Sequence, residues 1–207
     1  MVLKSSHYFA HGNTARGAHF LYTSAFDGLN KIFVLTGPQG TGKSTVMQSL
    51  ADSLLDKGNH VQCFHSPLRP DELDGIICTE LKVGIVDGRV CKGISDSGAG
   101  DIVFIDFEEA FDDSLVLPGD FITIEDLRVK LESAYSNAYE TFAAALRIHD
   151  EWEKFYIDNM DFTKADQIAL ELIQELYAGH ESDTSTTSRH VFFGAATPRG
   201  LMILFKA

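Results

Sequence analysis

The chain has 207 residues, 44% hydrophobic content and a formal net charge of −13. That size suits one α/β domain with an insertion, and the acidic balance disfavours nucleic acid and anionic membranes, whose phosphates repel it. Cys63, Cys78 and Cys91 form no C-x-x-C pair, so neither a disulfide framework nor a zinc site is indicated, and such thiols fit a reducing cytosol. Met1–His7 lacks the apolar core of a signal peptide, and no apolar run approaches the roughly 20 residues of a membrane helix; a soluble, cytoplasmic protein is expected.

Residues His7 to Asn30 are rich in aromatics and glycine. The first apolar run, Ile32-Phe33-Val34-Leu35, reads as a short buried strand. It feeds Gly37-Pro38-Gln39-Gly40-Thr41-Gly42-Lys43-Ser44, which matches G-x-x-x-x-G-K-[ST], the phosphate-binding P-loop motif. Ser44 to Leu55 reads as the helix that leaves the loop, with a stop at Lys57-Gly58-Asn59 and Gly58 at its C-cap. In this strand–loop–helix setting the glycines let backbone N–H groups converge on phosphate oxygens, and the helix N-terminus adds favourable partial charge. Gly37, Pro38, Gln39, Gly40, Thr41, Gly42, Lys43, Ser44 and Thr45 are the candidate nucleotide-binding residues. Lys43 is expected to reach the β- and γ-phosphates, and the Ser44 hydroxyl to ligate Mg²⁺.

Val61 to Phe64 reads as a second strand, followed by a loop through Pro67, Pro70 and the cluster Asp71–Asp74. Leu81 to Val86 is a third apolar run ending in Asp87-Gly88, and Ile102 to Ile105 a fourth ending in Asp106. From Ile124 onward glycine and proline vanish until Gly179. Leu127, Leu131, Ala134, Tyr135, Ala138, Phe142 and Ala145 recur at helical spacing. A second helix is expected near Thr163, with Asp166 completing a near capping box, and to run through Leu170, Ile173 and Leu176. The expected organisation is a P-loop α/β core over 1–123 with a mostly parallel sheet, a helical hairpin over 124–179, a polar linker over 180–189, and a terminal segment over 190–207.

That terminal segment repeats the beginning. His190-Val-Phe-Phe-Gly-Ala-Ala-Thr-Pro-Arg-Gly200 follows His7-Tyr-Phe-Ala-His-Gly-Asn-Thr-Ala-Arg-Gly17 at a constant offset of 183 positions, and His, Phe, Thr, Arg and Gly coincide without a gap. A repeat of so long a period points to duplication of a whole domain. The second copy is expected to complete the core sheet or to stand apart from it.

With these blocks in view, the chain resembles a group of uncharacterised bacterial P-loop ATPases with two tandem P-loop halves. The resemblance rests on His7-Tyr-Phe-Ala with Gly12–Gly17, on Gly37–Thr45, on Phe64-His65-Ser66, on Leu73-Asp74-Gly75, and on Leu81–Gly88. It covers nearly the whole chain but only the first half of the family architecture and the opening of the second. It implies ATP and Mg²⁺ as ligands, and a homodimer or a second P-loop half as partner.

The acid that completes the metal site has two candidates. By pattern Asp106 is preferred, since four large apolar residues precede it; by resemblance Asp87 is preferred, since Val86-Asp87-Gly88 looks like a family block. Glu80, Glu108 and Glu109 are candidates to position water, and Arg16 and Arg199, equivalent in the repeat, to act as arginine fingers. Lys43, Asp87 and Arg16 form the candidate catalytic set, with Ser44 and Asp87 on the metal. Thr163-Lys164-Ala165-Asp166 matches a guanine-reading motif but follows no apolar strand and suits a helix cap better, so ATP is the expected nucleotide. His7, His11, His65 and His190 fit no compact ligand spacing, and Trp152 reads as packing. The function expected is ATP binding and hydrolysis coupled to conformational change or assembly. The alternatives are a small-molecule kinase and a nucleotide-dependent switch with little turnover.

Overall fold

The computed structural model describes residues 5–110, 112, 117–178 and 188–204. It is a mixed α/β structure. Its central sheet comprises β1 (Ser5–Tyr8), β4 (Lys31–Thr36), β5 (Val61–His65), β6 (Leu73–Cys78), β7 (Val83–Asp87) and β8 (Asp101–Asp106), in the order β1-β5-β6-β7-β4-β8. β4 pairs in parallel with β7 and β8, and β1 in parallel with β5, while β6 runs antiparallel between β5 and β7. The sheet is therefore mixed, with one reversed strand among five that share a direction. Two small hairpins, β2 (His11–Thr14) with β3 (Gly17–Phe20) and β9 (Gly194–Thr197) with β10 (Gly200–Ile203), stand apart from it as separate two-stranded sheets. The terminal repeat does not complete the core sheet.

Alternation along the strands builds a core on each face. On one face Ile32, Val34, Phe64, Ile77 and Val86 meet Tyr22 and Phe26 from α1 (Tyr22–Ala25) and its C-terminal flank. On the other, Leu35, Cys63, Leu73 and Ile76 meet Met47 and Ala51 of α2 (Lys43–Asp56). The stop of α2 is as expected in kind: Gly58 has φ +88°, its N–H reaches the Leu55 carbonyl and the Asn59 N–H reaches that of Leu54, so two terminal carbonyls are satisfied by one left-handed residue. Gly84 shows how closely the first face is filled. A Cβ there would lie 2.7 Å from two Phe26 ring atoms and 2.8 Å from Leu29 Cδ1. Gly84→Ala is expected to destabilise the fold by about 2 kcal/mol through overpacking; urea unfolding within 0.5 kcal/mol of the parent would refute that reading.

Strand β6 departs from the sequence reading. The loop read through Asp71–Asp74 overlaps the start of β6, and all six residues of that strand are buried. A Cβ on Gly75 would lie 3.1 Å from the Phe26 ring, so here too glycine serves close packing rather than a turn. β8 departs in the other direction: its apolar run lies at the sheet edge, and Phe104 is 64% exposed.

The helical region begins earlier than expected. α3 runs over Pro118–Ile157, 40 residues or about 60 Å. α4 follows over Phe162–Tyr177, capped by Asp161, whose Oδ1 accepts from the Lys164 N–H at 3.0 Å; Thr163 lies inside the helix. Neither helix buries its apolar stripe. Ile168, Ile173 and Leu176 of α4 are all more than half exposed, and so is Trp152 of α3, whose ring meets those of its helical neighbours His149 and Tyr156. The tie of α3 to the rest lies near its middle, where Tyr139 donates to Asn13 Oδ1 at 3.0 Å, and Tyr135, Ala138 and Phe142 face the tips of both hairpins. Among the described residues, no helix is long and apolar enough to cross a membrane. Most of the polar linker lies outside the described residues.

Candidate functional site

β4 ends at Thr36 and α2 begins at Lys43, so Gly37–Gly42 turns at the carboxyl end of a central strand. Gly37, Gly40 and Gly42 take φ values of +107°, +90° and +83°, a region that L side chains disfavour, and a Cβ on Gly37 would lie 3.0 Å from the Glu108 backbone nitrogen. The loop therefore has this shape because it is glycine-rich. Gly42 sits at the N-cap of α2 and offers no side-chain cap, which leaves the first-turn N–H groups to the cleft in front of them.

Lys43 is only 3% exposed, and its ammonium donates to the carbonyls of Gly37 at 2.8 Å and Pro38 at 2.6 Å and to Thr41 Oγ1 at 3.3 Å. Burial lowers its pKa, and Asp87, 3.9 Å away, opposes that shift. Ser44 Oγ accepts from the Leu73 N–H at 2.8 Å and keeps a second lone pair. Together with Gln39, Gly40, Thr45, Arg69, Glu72, Asp74, Asp87 and Arg89, these residues line a cleft of about 250 Å³.

Two acids stand side by side in the cleft wall. Gly75 pairs with Val86 across β6 and β7, which sets Asp74 next to Asp87. Both are buried, at 5% and 3% exposure. Asp87 is held by Arg89, which donates from Nε at 3.1 Å and from Nη2 at 2.7 Å, and the Arg89 backbone N–H adds a third contact at 2.9 Å. Asp74 is less well served. Its Oδ2 has no hydrogen-bond partner among the described residues, and burial, reinforced by the nearby Asp87, raises its pKa to about 7. His11 Nδ1 lies 3.6 Å from that oxygen, but burial lowers the His11 pKa to about 4, so the imidazole is neutral at pH 7 and the contact is not an ion pair.

The residues singled out from sequence divide clearly. Lys43, Ser44 and Asp87 come together in one cleft. Asp106 does not join them: it lies at the exposed edge strand, where its Oδ1 accepts from the Glu108 N–H at 2.8 Å. Asp87→Asn is accordingly expected to weaken Mg²⁺-dependent nucleotide binding at least tenfold, and Asp106→Asn less than twofold; titration calorimetry giving equal effects would refute the assignment. Glu80 belongs to the opposite end of the sheet, where its carboxylate accepts from the His60 N–H at 3.0 Å. Glu108 and Glu109 follow the edge strand and are exposed. Arg16 does not reach the cleft of its own chain; it sits exposed at the tip of the β2–β3 hairpin. Of the histidines, His7 Nδ1 and His65 Nε2 lie 2.8 Å apart in a hydrogen-bonded pair.

The charged cleft residues Arg69, Glu72, Asp74 and Arg89 were not among the site candidates read from sequence. Arg89 carried one usable signal, its place two residues beyond Asp87. Asp74 carried a misleading one, its place at the end of the acidic cluster read as a loop. Compared with protein-family models, curated proteins and solved structures, the chain gives no match.

Proposed function

We propose that the chain is a P-loop nucleoside triphosphatase that binds ATP with Mg²⁺ in the Gly37–Ser44 cleft and hydrolyses it. The observation that carries this reading is the convergence of the left-handed glycine loop, the uncapped helix start, Lys43 and the Asp87–Asp74 pair on one polar cleft. Phosphate oxygens would take over the donors of Lys43 that the Gly37 and Pro38 carbonyls now hold. The unused lone pair of Ser44 and the buried carboxylate of Asp87 fit a hard cation and would hold Mg²⁺, with Asp74 beside them. When bound, Mg²⁺ neutralises charge on the β- and γ-phosphates.

The chain's own groups supply the rest. Arg89 is about half-exposed and lines the cleft beside Asp87, from where its guanidinium would face the developing charge on the γ-phosphoryl group. Asp74 is suited to orient the attacking water and to receive its proton, because it is ionised to a useful extent near pH 7 and offers an unengaged oxygen. Lys43, Arg69 and Arg89 all line this cleft, so release of phosphate to water and transfer to a small acceptor are separated by experiment. The test is phosphate release from ATP by purified protein with Mg²⁺ and no added acceptor, expected to vanish on chelation with EDTA. Tight ATP binding without release would instead make the chain a switch, and release only with an added acceptor would make it a kinase.

A further inference from the structure

The hairpins of the two repeat copies share one geometry. Thr14 pairs with Gly17 and Thr197 with Gly200; Thr14 Oγ1 donates to the Gly17 carbonyl at 2.7 Å and Thr197 Oγ1 to that of Gly200 at 2.8 Å. The Arg16 and Arg199 N–H groups each reach their threonine Oγ1 at 3.1 Å, and Gly17 and Gly200 have φ values of +92° and +95°. Even the closing bonds correspond, Leu21 N–H to Ala10 and Leu204 N–H to Phe193.

The copies also meet through equivalent residues. Phe9 and Phe192, which coincide at the repeat offset, form an antiparallel bridge and exchange both backbone hydrogen bonds, at 2.9 and 2.8 Å. Asn13 Nδ2 donates, at 3.4 Å, to the carbonyl of Ala196, its own counterpart 183 positions on. Contacts between a residue and its own equivalent, reciprocal for Phe9 and Phe192, are the signature of a two-fold axis, here passing through the Phe9–Phe192 bridge.

We infer that the face formed by Phe9 and the β2 strand is an isologous pairing surface for a second copy of this chain, and that β9–β10 occupies it from within as a tethered mimic of the partner's β2–β3 hairpin. The mimic is held by Phe9, by Arg189 on the Ala25 carbonyl and Gln62, and by the ion pair of Arg199 with Asp71. When a second copy takes its place, the partner's Arg16 replaces Arg199 against Asp71, beside Arg69 and Glu72 of the cleft wall. The surface itself is independent of the nucleotide reading; only the consequence for the cleft rests on it.

A tethered segment competes at an effective concentration on the order of millimolar, so the parent chain is expected to be monomeric at micromolar concentration. Ala195→Glu with Arg199→Glu places charge at a buried contact and repels Asp71, releasing the mimic. Sedimentation velocity should then show a dimer, and Asn13→Cys added to this variant should link the two copies by a disulfide in a glutathione buffer, since Asn13 lies beside the axis. A released variant that keeps the parental circular dichroism and stays monomeric overturns the inference, and so does a dimer that Asn13→Cys fails to cross-link. Should the released variant not fold, Asn13→Cys in the otherwise unaltered chain decides alone. At about 100 μM, as exchange exposes the surface, cross-linked dimer absent from the parent supports the inference, and its absence overturns it.

Discussion

Lys43→Ala is expected to weaken binding of ATP with Mg²⁺ about 100-fold and to abolish phosphate release. Its ammonium is enclosed by the glycine-rich loop, 3% exposed, with its donors aimed at the Gly37 and Pro38 carbonyls and at Thr41. A phosphate replaces those neutral acceptors with charged ones. Charge-assisted hydrogen bonds of this kind contribute roughly 1.5–3 kcal/mol each, and one tenfold change in affinity corresponds to about 1.4 kcal/mol. The substitution should leave the fold in place, because the loop shape is set by glycine backbone angles rather than by the lysine. Titration calorimetry on the parent and the variant measures the difference directly. Affinities within threefold of each other would mean that this cleft does not bind the triphosphate.

Asp74→Asn is expected to do two opposite things. Turnover should fall about 100-fold or more with ATP affinity nearly unchanged, because the amide cannot accept a proton from water. Stability, measured without nucleotide or divalent cation, should rise at pH 8 by about 2 kcal/mol. The direction follows from the raised pKa. In the unfolded chain the carboxyl ionises near its ordinary 3.8, but in the folded protein only near 7. The folded state therefore holds the extra proton between these values, and the stability that the neutral form provides is full below about pH 4 and lost as pH rises through 7. Three pH units correspond to about 4 kcal/mol as a ceiling, and the buried amide forfeits part of that gain. The effect should vanish at pH 4, where asparagine and protonated aspartate are alike. His11, with its pKa lowered to about 4, adds an opposite slope between about pH 4 and 6.5, because its unfolded form takes up a proton that the folded form refuses. The comparison of variant with parent cancels that contribution. A variant less stable than the parent at pH 8 would show that Asp74 is held ionised by groups other than those described.

The gain in stability and the loss of turnover have one origin. Asp74 lies on a fully buried strand, next to a second acid and with one oxygen lacking a partner. Here a carboxylate is kept where the fold alone would favour a neutral group, as is common at functional sites.

Local chemistry made part of this legible from the chain. The P-loop motif, its flanking strand and helix, the Gly58 stop and the apolar runs at β4, β5 and β7 depend on neighbours within a few residues, so their order in the sequence carries them. The repeat too was visible, since it is a comparison of the chain with itself. Tertiary structure decided the remainder. Asp74, read from the chain as part of a loop, lies in a strand because neighbours on both sides pair with that strand and Phe26 fills the space over Gly75. Asp87 and Asp106 end similar runs, yet one flanks Lys43 at a buried strand end and the other lies at an open edge, a difference set by strand order alone. Arg16 and Arg199 occupy equivalent places in the repeat, and only packing gave Arg199 a partner in Asp71 and left Arg16 exposed at its hairpin tip. The sequence by itself determined the glycine-rich loop and the internal repeat; strand order, burial and the meeting of the two hairpins were decided by contacts between residues far apart in the chain, which no short-range pattern encodes.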